Sequence, residues 1–280
     1  MDIHGKTVVV TGSSSGIGKV TARELARGGA RVVMACRNLE AASAAAGEIG
    51  RAVPGAVLEI VGLDLSSFAS VRACAEEIAR RFGTVDVLVN NAGTYTQGDT
   101  VTGDGIHPTL QVNYFSPVLL TNLLLPCIQA AGQARIVNLS SAMYRIGRLR
   151  LEDRDFLRRK NGFSAYSDSK LAILLFSLEL AGRLSGSGVT VNAVHPGLVD
   201  TKIMTLHKWY DVFIRYYMDR KAIGVEKGAG TSIWAAASEE AEGMTGKYFV
   251  RSAPAPIRVA PAILGRSGEL WEKTKAAIGL

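Results

Sequence analysis

Cysteine is scarce in this 280-residue chain. Cys36, Cys74 and Cys127 are widely spaced among apolar neighbours, a pattern that fits neither a disulfide-stapled scaffold nor a cysteine metal site. They read as free thiols of a reducing compartment, so a cytoplasmic location is expected and no metal is. No apolar run reaches the roughly 18 residues of a membrane span, and Met1 to Lys6 lacks the hydrophobic region of a secretory leader. A lysine-rich run and an aromatic-plus-basic repeat are both missing, so the net charge of +7 does not mark a nucleic-acid binder. The densest basic stretch, Arg145 to Lys160, reads as a solvated excursion. Internal repeats and low-complexity linkers are absent too, and the expected organisation is one domain over residues 1–280.

What is present is an alternation. Lys6 to Thr11 is a β-branched run ended by Gly12, and a helical pattern follows from Ile17 to Arg27. Further strands are expected at Arg31 to Ala35, Val57 to Leu63, Val85 to Val89, Arg135 to Leu139, Val189 to Val194 and Tyr248 to Val250. Helices are expected at Leu39 to Ile49, Ser66 to Phe82, Gly105 to Ala131 and around Tyr166. Strands that are apolar throughout and separated by helices predict an α/β Rossmann fold. Its doubly wound parallel sheet of about seven strands has helices on both faces and a ligand crevice at the strands' carboxyl ends. Two segments break the alternation, a basic excursion at 142–163 and a stretch at 200–224.

The first chemical motif is Thr11-Gly12-Ser13-Ser14-Ser15-Gly16-Ile17-Gly18 between strand one and helix one. Glycines there let the backbone turn tightly and approach a pyrophosphate, which free N–H groups at the helix N-terminus stabilise. The second is Tyr166 and Lys170, four apart on one helical face. An ammonium about 4 Å from a phenol oxygen favours the phenolate by roughly 4 kcal/mol at an effective dielectric of about 20. That is roughly 3 pKa units, enough to bring a phenol towards neutral pH before desolvation returns part of the gain. Alone, this spacing occurs by chance on many helices.

Together these motifs resemble the short-chain dehydrogenase/reductase family, whose TGxxxGxG loop is matched from Thr11 to Gly18. Asn90-Asn91-Ala92-Gly93 looks like the family's NNAG motif, Asp64-Leu65 like its adenine-contacting pair, and Pro196-Gly197 with Thr201 like the stretch holding the nicotinamide carboxamide. Asn113, Ser141, Tyr166 and Lys170 match its catalytic positions. The resemblance covers about Lys6 to Thr201. It is nearer to the retinol-dehydrogenase-like branch through the long Ser141–Tyr166 separation, Ser169-Lys170-Leu171-Ala172 and His195-Pro196-Gly197.

The resemblance implies hydride transfer between a nicotinamide and a small-molecule carbonyl or alcohol. Tyr166 is then the acid or base. Lys170 lowers its pKa and binds the nicotinamide ribose, Ser141 donates to the substrate oxygen, and Asn113 holds a water linking Lys170 to solvent. It also implies a homodimer or homotetramer through the helices at Gly105 to Ala131 and Ala165 to Leu184. Arg37 bears on the cofactor. Strand two ends Met34-Ala35-Cys36-Arg37 with no acid for an NAD ribose, and a guanidinium suits a 2′-phosphate, so NADP(H) is favoured with NAD(H) the alternative.

Trp209, Tyr210, Phe213, Tyr216 and Tyr217 lie opposite Lys208, Asp211, Arg215 and Asp219 on a helical pattern, and the segment is expected to be a substrate lid. A cofactor-binding regulatory or scaffold protein without turnover is the competing reading, and an epimerase or dehydratase on a related extended fold a third.

Overall fold

The computed structural model describes residues 1–149, 151, 161–197 and 224–280. The sheet begins with β1 (Thr7–Thr11), whose five residues are all buried. Val8 and Val10 point to one face and Val9 to the other, so each face receives its own apolar cluster. A strand buried on both sides needs helices on both sides.

Helices α1 (Gly16–Arg27), α2 (Leu39–Ala52) and α7 (Val225–Ala237) cover one face. Helices α3 (Phe68–Phe82), α5 (Ser116–Ala130) and α6 (Gly162–Arg183) cover the other. Strands β2 (Arg31–Cys36), β3 (Val57–Gly62), β4 (Val87–Asn90), β5 (Ala134–Leu139), β6 (Val189–His195) and β7 (Tyr248–Val250) complete a parallel array. Its order, β3-β2-β1-β4-β5-β6-β7, reverses between β1 and β4. Ligands of open α/β sheets bind at that reversal.

The sheet has eight strands where about seven are expected. The extra one, β8 (Ala253–Ala255), pairs antiparallel with β7 through a tight turn in which Arg251 and Ser252 both take positive φ. Three residues with a central proline give no period-two signal, and proline is tolerated there because the strand lies at the edge.

The helix expected over Gly105 to Ala131 is also corrected. Gly105 lies in a turn, and helix begins only at Pro108 with α4 (Pro108–Leu110), where the His107 side chain accepts the Thr109 N–H. A wide π-turn, Gln111–Phe115, follows before α5. Such bulges insert a residue without interrupting apolar periodicity, so the sequence pattern reads as one continuous helix.

A short helix, α8 (Pro261–Leu264), leads to α9 (Ser267–Ile278), which packs on α6. Trp271 stacks on Phe176 with centroids 5.5 Å apart, the Arg183 guanidinium lies over Trp271, and Thr274 Oγ1 is 2.7 Å from Tyr114 Oη. Among the described residues no helix is long and apolar enough to cross a membrane.

Candidate active site

The glycine loop owes its shape to two close approaches. Gly12 has φ +66°, and a Cβ on it would lie 2.9 Å from Ala92 Cβ. A Cβ on Gly18 would collide with the Gly12 carbonyl and the Asn91 side chain. Only glycine lets α1 start this near β1 and β4. Ser13 is turned inward, donating to the Val10 carbonyl at 3.0 Å and lying 3.4 Å from Cys36 Sγ. Ser14 is half-buried and Gly16 has φ +55°. Ser15 precedes α1 without a side-chain cap, and the first turn carries no acidic residue. The Ile17 side chain is buried in the core beneath.

Thr11 and Asn91 lock the loop to the end of β4. Thr11 Oγ1 accepts the N–H groups of Asn91 and Ala92, both at 3.0 Å, while Asn91 Nδ2 donates to the Thr11 carbonyl at 2.8 Å. Thr11 was legible as the first letter of the motif, but its hydroxyl role was not. On the other side of the switch, Asp64 Oδ1 accepts from the Ser66 N–H and hydroxyl at 2.9 and 2.6 Å. Leu65 belongs to the core, and its carbonyl accepts from Ser116 at 2.6 Å. Arg37 stands exposed just past β2, and among the described residues no ion pair involves it.

Across the switch point the four expected catalytic positions converge. The π-turn carries Asn113, only 2% exposed. Its Oδ1 accepts the Thr94 N–H at 2.7 Å, and its Nδ2 donates to the Thr94 carbonyl at 2.9 Å and to Ser169 Oγ at 3.3 Å. Gly93 fits between it and Lys170, since a Cβ there would be 3.4 Å from Asn113 Oδ1 and 3.8 Å from Lys170 Nζ. Ser141 follows β5, and its hydroxyl lies beside Tyr166 of α6, where it pulls that phenol's pKa down. The Thr94 loop brings the Tyr95 ring within 6.1 Å of Tyr166, a neighbour no motif announced.

Lys170 is 5% exposed, and its Nζ donates to the Leu139 carbonyl at 2.9 Å while lying 5.5 Å from the Tyr166 ring centroid. The expectation that it pulls the phenol down is not met. Burial raises the Tyr166 pKa, and Ser141 offsets this only in part. Burial also lowers Lys170 to about 8. Both groups sit on the same helical face as expected, and desolvation is the largest influence on each.

A depressed lysine sets a testable pH dependence. Below pH 8 folded and unfolded chains both hold the proton; between about 8 and the unfolded value of 10.5 only the unfolded chain does. Stability attributable to Lys170 therefore rises through that window, by up to about 1.4 kcal/mol per pH unit. Subtracting the denaturation midpoints of Lys170→Met from those of the wild type at each pH isolates it. A flat difference between pH 8 and 10.5 would mean the ammonium is not desolvated.

Pro196 and Gly197 follow β6 at the same edge, half-buried. His195 before them is held neutral, its pKa lowered to about 4 by burial and by the charges of Arg145 and Lys170. Thr201, most of the expected lid and the middle of the basic excursion lie outside the described residues. Among those described, no group of three His, Cys, Asp or Glu is placed to hold a metal.

Comparison with known proteins adds an independent line. The short chain dehydrogenase family model matches residues 6–209. Retinol dehydrogenase 14 of Mus musculus is 38% identical over 292 residues, spanning 99% of this chain and 87% of that protein. A crystal structure of a protein from Mycobacterium paratuberculosis is similar at a TM-score of 0.79 and 32% identity, over 99% of this chain and 95% of that one. A short chain dehydrogenase from Burkholderia cenocepacia J2315 in complex with NADP is similar at 0.71 and 28% identity, over 89% and 97%.

Proposed function

The chain belongs to the short-chain dehydrogenase family, in its retinol-dehydrogenase-like branch, and from that premise we propose that it transfers a hydride between NADP(H) and the carbonyl or alcohol carbon of an apolar substrate. The observation that carries the reading is the convergence of Ser141, Tyr166 and a buried Lys170, with the Lys170 ammonium 5.5 Å from the Tyr166 ring centroid and Ser141 acting on the phenol.

The dinucleotide fits the residues present. At Gly12 and Gly18 the cradle has no room for a side chain, and the uncapped start of α1 offers N–H groups to a diphosphate. Asp64, Leu65, Asn91, Ala92 and Gly93 line the adenosine and ribose side, and Pro196 and Gly197 the nicotinamide side. Arg37 would take the 2′-phosphate, a role supported by its exposure, by the lack of a partner among the described residues and by the NADP of the Burkholderia relative. When bound, the cofactor supplies or accepts the hydride.

The protein's own groups move the proton and hold the oxygen. Ser141 donates to the substrate oxygen. Tyr166 gives its phenolic proton to that oxygen in reduction, or takes it in oxidation. Lys170 supplies the positive field that favours the phenolate once the charge develops. Asn113 keeps the Thr94 loop in place beside them.

An apolar substrate is favoured by two exposed apolar side chains on the segments that carry Ser141 and Tyr166, Ile146 and Phe163, and by the retinol in the name of the mouse relative. The test is a panel of aldehydes, ketones and secondary alcohols of graded size, followed by cofactor absorbance. Turnover is expected to favour hydrophobic members with NADP(H). Cofactor binding without turnover of any member would favour a non-catalytic binding protein instead.

A further inference from the structure

Asp168 sits between Tyr166 and Lys170 in α6 and is 2% exposed. A carboxylate so buried needs partners. Two residues on from Tyr166, it points away from the face that Tyr166 and Lys170 share. Its Oδ1 accepts the Arg148 N–H at 2.6 Å, and its Oδ2 lies 3.4 Å from the Ser164 hydroxyl. That short contact is a charge-assisted bond to backbone.

Arg148 ends the stretch that begins at Ser140. Ser140 Oγ donates to the Lys170 carbonyl at 2.8 Å, fixing the near end of the stretch to α6. The three-ten turn Ala142–Ile146 follows Ser141, which caps it through the Met143 N–H at 3.3 Å. Gly147 then presses on the helix with no clearance, because a Cβ there would be 2.6 Å from the Ser167 carbonyl. Asp168 fastens the far end. Ser141 thus lies between two attachments to the helix that carries its partner Tyr166.

We infer that Asp168 is a positioning residue, holding Ser141 against the Tyr166 hydroxyl by anchoring the Arg148 N–H. The inference rests on the functional reading above for the roles of Ser141 and Tyr166. The anchoring itself does not.

Two variants of the full chain test it. Asp168→Ala should lower kcat by roughly ten- to a hundredfold, the scale of a small misplacement of a catalytic group, with cofactor Kd unchanged within about twofold. Asp168→Asn, whose amide oxygen still accepts the Arg148 N–H, should recover most of it. Losing the downward pull of Ser141 on the phenol should also move the Tyr166 limb of the pH–rate profile upward in Asp168→Ala and back down in Asp168→Asn. Should the alanine variant not fold, Asp168→Ser, too short to reach Arg148, takes its place with the same expectation.

Wild-type kcat and pH profile in Asp168→Ala would overturn the proposal. So would equal loss in both variants accompanied by weakened cofactor binding, which is general damage. Hydrogen exchange at the Arg148 amide reads the anchor without turnover: faster exchange in Asp168→Ala supports it, and unchanged exchange overturns it. An inactive wild type would count against the functional reading alone and leave this exchange to decide the anchor.

Discussion

Replacing Tyr166 by Phe should lower kcat by about 10²–10⁴-fold in both directions, the usual value of a positioned acid or base, while cofactor affinity stays within a few-fold. The phenol is raised by burial, so it carries its proton at neutral pH. Reduction therefore starts with the acid already loaded. Oxidation needs the phenolate, so its rate should climb with pH where that of reduction does not. The substitution removes one oxygen and leaves the ring against Tyr95. Steady-state rates with the best substrate of the panel give the answer, and a variant retaining more than about a tenth of the wild-type kcat would remove Tyr166 from the chemistry.

Arg37→Asp should invert the cofactor preference. A fixed guanidinium makes charge-assisted hydrogen bonds to a phosphate, each worth roughly 1.5–3 kcal/mol before desolvation. At least a tenfold preference for NADP(H) in kcat/KM is then expected, since 1.4 kcal/mol is a factor of ten. The aspartate would repel the phosphate and offer the NAD ribose the acceptor that Cys36 cannot. Exposure tempers the size of the effect, because screening weakens an exposed pair. Assays of both cofactors at matched substrate concentration decide it; an unmutated enzyme preferring NAD(H) would mean Arg37 does not reach the ribose.

The sheet was legible because its strands are β-branched and apolar on both faces, a pattern few other arrangements tolerate. Val8, Val9 and Val10 all reach zero exposure, as the run of three valines implies. Asn113, Ser141, Tyr166 and Lys170 were legible through spacing and resemblance, and the fold brings them to one edge. The π-turn was hidden because Gln111–Phe115 keeps the apolar rhythm of a helix. The protonation states were hidden for another reason. The distance from Tyr166 to Lys170 along the chain fixes a shared face, but it says nothing of the Leu139 carbonyl that takes the lysine's hydrogen bond or of the desolvation that dominates both groups. Asp168 reads in sequence as an ordinary helix acid, and only the burial of its carboxylate against Arg148 marks it.

The docking of α9 has a bearing on how the molecule is made. The Arg72 guanidinium reaches the Ile278 carbonyl at 2.6 Å across 206 positions of chain, and Tyr114, next to Asn113, bonds Thr274 across 160. During synthesis, the helix bearing Tyr166 and Lys170 leaves the ribosome long before Trp271 arrives to cover Phe176. Until then the nascent chain presents that apolar flank to its surroundings. Loop closure over such separations is slow, so the apolar flank of that helix stays uncovered until the last residues of the chain have been made.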